Sequence, residues 1–136
     1  MKLKTVKRRY LWEAALMLAL ARLAVHFVPA ARIFAWADRS PRHVNRFACD
    51  EVSWITWAVA RISNNPQMNA LCLARALAAH AMLRRRGIAS RLCIGVARDD
   101  QELLVHAWVE VGETTVTLDP ASAHFTRLAR FGEAPV

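Results

Sequence analysis

The chain runs to 136 residues, with 19 Lys and Arg against 11 Asp and Glu for a formal charge of +8; that length makes one domain with a real core and leaves little for elaborate substrate pockets. Cys49, Cys72 and Cys93 form no CxxC pair and leave an odd thiol, which argues against a disulfide framework or a structural zinc knuckle and fits a reducing cytoplasm. The basic excess gathers in Lys2, Lys4, Lys7, Arg8 and Arg9 and in Arg84, Arg85 and Arg86, without a nucleic-acid motif or aromatics interleaved with the cations, so a DNA or RNA partner has charge alone behind it.

Residues 10–28 follow helical spacing. Trp12, Leu16, Leu20, Leu23 and Phe27 fall on one stripe and Arg22 and His26 lie together off it, which predicts an amphipathic helix that buries the stripe and ends at Pro29. The basic segment before it reads as solvated chain. A signal peptide or anchor would show a similar order, and Ala35-Trp36-Ala37 resembles a cleavage site. Glu13 inside the apolar stretch, with Arg22 and His26 soon after, argues against membrane insertion, because a span needs about 20 mostly apolar residues. A second helix is expected over residues 30–37, a turn at Asp38-Arg39-Ser40-Pro41, and a third helix over residues 42–62, in which Trp54 and Trp57 read as packing between helices. Ser63-Asn64-Asn65-Pro66 then breaks the chain.

An alanine-rich helix follows over residues 71–86, with Ala76, Ala79 and Leu83 at helical spacing from Cys72, and it ends at Gly87 behind three arginines that suit a last turn. Two starts are open. Asn69 as the cap puts Cys72 in the first turn, whereas Asn65-Pro66 begins the helix a turn earlier and sets Cys72 deeper. Residues 91–98 read as a strand, Leu92, Ile94 and Val96 alternating with Cys93, Gly95 and Ala97, and a turn at residues 99–102 leads into a second strand. The tail from residue 121 to 136 reads as a short helix and a loose end. Helices first and sheet second predict one α+β domain, residues 1–136.

Chemistry concentrates in the second strand. Val105, Ala107, Val109 and Val111 alternate with Leu104, His106, Trp108 and Glu110, and Gly112-Glu113 has the sequence of a two-residue type II′ turn before residues 114–118. Pairing Val111 with Thr114 sets Val109 against Val116, Ala107 against Leu118 and His106 against Asp119. One face is then almost wholly apolar, and the imidazole and carboxylate share the other. Opposed residues hold their Cβ atoms roughly 4.5 to 5.5 Å apart, so Asp119 can orient one ring nitrogen of His106 while the other faces outward. Cys72 is the nucleophile candidate, since unpaired amides and the positive end of a helix dipole favour thiolate. Thiolate, histidine and orienting acid make an acyl-transfer centre. Trp108 can wall the cleft or simply pack. Cys49 and Cys93 read as packing residues, and His26, His43, His80 and His124 as surface or core polar groups. A metal site built from the triad is short of ligands.

Cys72-Leu73-Ala74-Arg75-Ala76-Leu77, Leu83-Arg84-Arg85-Arg86-Gly87-Ile88, Leu92-Cys93-Ile94-Gly95-Val96 and His106-Ala107-Trp108-Val109-Glu110 together resemble the transglutaminase-like peptidase of lasso-peptide biosynthesis, the peptidase half of a split B protein. The apolar first helix ending in a proline, the tail from Phe125 to Phe131 and the Leu118-Asp119-Pro120 ending fit the same family. The resemblance implies a papain-like or transglutaminase-like core over residues 66–136, with its Cys at the N-terminus of a helix packed on an antiparallel sheet, preceded by a helical part over about residues 1–62. It implies a leader peptidase with Cys72 as nucleophile, His106 as base and Asp119 as orienter, which together with the thiol count places it in the cytoplasm; no metal or cofactor is expected. For such chemistry the Cys72 amide at a helix N-terminus is one candidate oxyanion donor, with Asn69 and Gln67 as candidates for the second. The peptidase's partners would be the precursor peptide, a separate small leader-recognition protein and an ATP-dependent lasso cyclase. Two other readings stay open: a transglutaminase-like transferase with an amine acceptor, and a non-catalytic, basic membrane-peripheral or adaptor domain.

Overall fold

The computed structural model describes residues 3–38, 49–63, 72–99, 102–111, 114–116 and 126–132. Helix α1 spans Leu3–Phe27, α2 Ala30–Ala37, α3 Cys49–Ser63 and α4 Cys72–Arg85; strands follow as β1 Arg91–Asp99, β2 Glu102–Val111, β3 Thr114–Thr115 and β4 Thr126–Gly132. The sheet is antiparallel and four-stranded in the order β3-β2-β1-β4. Helices α1 and α3 lie on α4, and α4 lies on β2 and β1.

The basic segment belongs to α1, which continues unbroken from Leu3 to Phe27. Its inward face differs from the stripe that helical spacing selects. Ala14, Leu18 and Ala21 are buried, whereas Trp12, Leu16, Leu20, Leu23 and Phe27 are exposed. The two rows are offset by two residues, roughly 200° round the helix. Close approach to the small side chains of α4 selects Ala14 and Ala21 for the seam, and the bulkier residues are left outside. Glu13 joins this seam: its Oε1 accepts from Arg86 Nη2 at 2.6 Å, and its Oε2 accepts from Arg86 Nη1 at 2.7 Å and Arg85 Nη1 at 3.0 Å. Burial opposes the Glu13 charge, but the hydrogen bond and field of Arg86, with Arg85 and Arg9, hold its carboxyl below the usual value. Arg86 also lies over the Tyr10 ring, which stacks on Trp54 of α3, and Trp54 meets Trp57 edge to face. The two tryptophans thus serve inter-helix packing.

Helix α4 is buried at every position from residue 76 to 80, which only a chain of small and apolar side chains permits at close packing. Its C-terminus is closed by Gly87 at φ 73°, with Ile88 N–H donating to Leu83 C=O at 3.0 Å and Gly87 N–H to Arg84 C=O at 3.0 Å. This is a Schellman closure, and the buried Leu83 and Ile88 supply its apolar contact. The arginines do more than satisfy the last turn. Arg86 Nη1 reaches Met82 C=O, Arg84 Nη1 donates to Trp36 C=O at 2.6 Å, and Arg84 also lies over the Trp36 ring.

His80 is the buried polar centre of α4. Its Nε2–H donates to Ala37 C=O at 2.8 Å, which makes Nδ1 the acceptor for the Ser90 hydroxyl at 2.8 Å. Both nitrogens are satisfied by the neutral ring. The network ties the end of α2 to α4 and to the loop before β1.

Strands β1 and β2 pair from Arg91↔Glu110 to Asp99↔Glu102. The hairpin β2–β3 has the anticipated register, Val111↔Thr114 and Glu110↔Thr115, and Val116 N–H donates to Val109 C=O at 2.8 Å. The expected pairs 107 with 118 and 106 with 119 lie outside the described residues. So do the turn at residues 39–41 and the first part of the third predicted helix, whose described span is α3. The tail corrects a prediction. In place of a short helix, residues 126–132 form β4 on the other edge of β1, with a register shift between Ile94 and Gly95. Leu, Ala and Arg in this segment favour a helix locally, but the open edge of β1 offers a full ladder of backbone partners. Phe131 secures it by stacking on Phe34 of α2, centroids 4.6 Å apart.

Burial, reinforced by Arg84 and opposed by the bond to Ala37, lowers the pKa of His80 from 6.5 to about 4. A depressed histidine pKa contributes stability that is complete above the unfolded value and is lost as pH falls from about 6.5 towards 4. Thermal melts across that window should show a loss on the order of 3 kcal/mol, with a further loss at lower pH as Glu13 protonates. A melting temperature flat from pH 6.5 to 4 would contradict this assignment.

Candidate active site

Cys72 is the first residue in the described span of α4. The first turn contains no acid, and Arg84 and Arg85 occupy the last turn. The arginines complement the negative end of the helix, and no described carboxylate in the first turn offsets the positive end. Asn69 and Gln67, and with them the choice between the two helix starts, lie outside the described residues. Asp119 does also.

The pleat of β2 separates two environments. Ala107 and Val109, opposite Ile94 and Leu92, enter the core shared with α4. On the other face His106 lies opposite Gly95, Trp108 opposite Cys93 and Glu110 opposite Arg91. That division matches the two faces expected from the alternation. The His106 and Trp108 rings stack, with centroids 6.0 Å apart and planes 23° from parallel. Both residues are buried, His106 with 8% and Trp108 with 4% of its surface exposed. Cys93 is fully buried and its Sγ lies 3.9 Å from the Arg91 carbonyl oxygen, consistent with packing.

Two residues that pattern reading did not single out hold this face in shape. Glu110 accepts from Trp108 Nε1–H at 2.8 Å through Oε2 and pairs with Arg91 at 3.3 Å through Oε1. The indole is thereby fixed at its polar edge. Its far edge lies over Gly95, where an added Cβ would stand 2.7 Å from the ring and 2.8 Å from the Thr126 carbonyl oxygen. Gly95 therefore lets the Trp108 ring and the β4 backbone approach the sheet together. The sequence did carry a signal, since the glycine falls directly across the strand pair from His106.

Among the described residues no three His, Cys, Asp or Glu side chains converge as a metal site would require. The described arrangement is an α+β domain in which a helix whose described span begins at Cys72 lies on an antiparallel sheet, and strand β2 of that sheet carries a histidine in a buried aromatic pair. Residues 14–130 match the family model of the transglutaminase-like superfamily, and the chain belongs to that superfamily. Its members are typically cysteine-based enzymes and include peptidases and acyltransferases. No curated protein and no solved structure matches the chain.

Substituting Gly95→Ala should cost about 1–3 kcal/mol, as overpacking of a filled site does. Urea unfolding should show a lower midpoint at unchanged slope. A midpoint equal to that of the parent chain would mean that Trp108 and β4 do not meet the sheet as closely as described.

Proposed function

We propose that the chain is a cysteine peptidase that cleaves the leader peptide from a ribosomally made lasso-peptide precursor. The observation that carries this reading is the match of residues 14–130 to the transglutaminase-like superfamily, in a chain whose described α4 begins at Cys72 and whose β2 carries His106. The quoted motifs over residues 72–110 supply the narrower likeness.

In this mechanism the Cys72 thiolate attacks the carbonyl carbon of the last leader residue. His106 takes up the thiol proton and delivers it to the departing amine of the core peptide, and Asp119 holds the imidazole and stabilises its charged form. Water then attacks the thioester, the leader leaves with a free carboxylate, and the thiol is restored. The Cys72 amide is one donor to the oxyanion, with Asn69 or Gln67 as the second; losing one such donor costs roughly 10²- to 10³-fold in turnover in other proteases. Trp108, fixed by Glu110 and stacked on His106, limits water at the imidazole and borders the substrate. The activity needs no metal or cofactor. A separate small recognition protein presents the leader, and the freed core passes to an ATP-dependent cyclase, all in the cytoplasm.

Acyltransferases also belong to the superfamily, so an amine in place of water is the second reading. Product analysis separates the two: a shortened peptide marks hydrolysis, and a cross-link marks transfer. Incubation with precursor and recognition protein should release the leader, and Cys72→Ala should lower that rate by at least about 10³-fold. Undiminished cleavage by the variant would remove the chemistry. Iodoacetamide should alkylate Cys72 at about pH 6, and His106→Ala should move this profile up towards an ordinary thiol near pH 8.5. A profile already at that value in the parent chain would favour an inert adaptor.

A further inference from the structure

Among the described residues the exposed large apolar side chains gather on α1 and the residue after it, with Trp12 73%, Leu16 55%, Leu20 50%, Leu23 55% and Phe27 77% exposed on the outer face of the helix. Single exposed apolar residues are ordinary, but a contiguous row about 22 Å long on one helix is not. The exposed formal charges of α1 are cationic. Lys4, Arg8, Arg9 and Arg22 are exposed along the same helix and Arg32 follows on α2, whereas the acid of α1, Glu13, is turned into the seam with Arg85 and Arg86. An apolar groove of about 280 Å³ lies beside the row between α1, α2 and α4, lined by Met17, Leu20, Val28, Ile33 and Leu77, with Arg32 as its charged lining residue.

The geometry points to the anionic surface of a lipid bilayer as the partner of this face. Trp12, Leu16, Leu20, Leu23 and Phe27 enter the acyl region, and Lys4, Arg8, Arg9 and Arg22 meet the phosphates. The groove beside Leu20 takes an acyl chain. A second copy of the protein fits poorly, because pairing two such faces gathers cations with no exposed carboxylate on α1 to offset them. Crossing the membrane fits poorly too. The helix is long and apolar enough by length and composition, but a span would strip Ala14, Leu18 and Ala21 from the core and Glu13 from Arg86. The helix therefore lies flat on the leaflet, and the protein is peripheral. This inference is independent of the peptidase reading.

Co-sedimentation of the full chain with vesicles tests it. Partition into phosphatidylglycerol–phosphatidylcholine vesicles should exceed that into phosphatidylcholine vesicles by at least about tenfold and fall with added salt, since each cation near an anionic surface contributes about fivefold. Leu16→Glu with Leu23→Glu, both at exposed positions, should abolish binding without lowering the melting temperature. Should that pair unfold the chain, Lys4→Ala with Arg8→Ala should lower anionic-vesicle partition by about tenfold or more. Parent protein left in the supernatant, equal partition into neutral vesicles, or unchanged binding by the folded variants would overturn the proposal. A vesicle-free dimer in sedimentation velocity, broken by Leu16→Glu with Leu23→Glu, would overturn it in favour of a second copy.

Discussion

Helix α4 is enclosed by α1, α3 and the sheet, and a helix so enclosed can approach its neighbours closely only if its side chains are small. Ala74, Ala76, Ala78 and Ala79 meet that condition. The same enclosure leaves the helix ends as the places where polar groups must find partners. At the C-terminus the turn closes on Gly87, and Arg84 and Arg86 leave the helix to bind the end of α2 and Glu13 of α1. The other end carries Cys72. A rigid, dry helix anchored at one terminus holds the opposite terminus in a fixed place.

Small residues govern the sheet by the same logic. Gly95 is the gap into which the Trp108 ring settles, and Glu110 fixes the indole from its polar edge. The ring in turn stacks on His106, so the orientation of the imidazole depends on a glycine across the ladder and a carboxylate two residues beyond the tryptophan. The division of β2 into a core face and a histidine face lets packing with α4 and the His106–Trp108 stack form on one strand without competing.

Much of the site was legible because it rests on local rules. Alternation along β2 and the Gly112-Glu113 turn gave the register through Val116, since a slip of one residue would reverse both faces. Gly87 after a run of arginines marked the end of α4 for an equally local reason. The α1 stripe and the tail were not legible. Helical spacing shows that Trp12, Leu16, Leu20, Leu23 and Phe27 share a face but not where that face points; the inward face was chosen by the close fit of Ala14 and Ala21 to α4. Residues 126–132 became a strand because β1 had an unpaired edge, a fact absent from their own sequence.

The sequence by itself determined the α+β order, the α4 C-terminus and the β2–β3 register, all of which follow from periodicity and turn chemistry within a few residues. The tertiary structure alone decided that Glu13 is clamped by Arg86, that His80 is neutral between Ala37 and Ser90, that Trp108 leans over Gly95, and that the bulkiest row of α1 faces out. Each of these is a contact between segments distant in sequence, selected by size and by the need to satisfy buried polar groups, and neither requirement is written in the period of a single element.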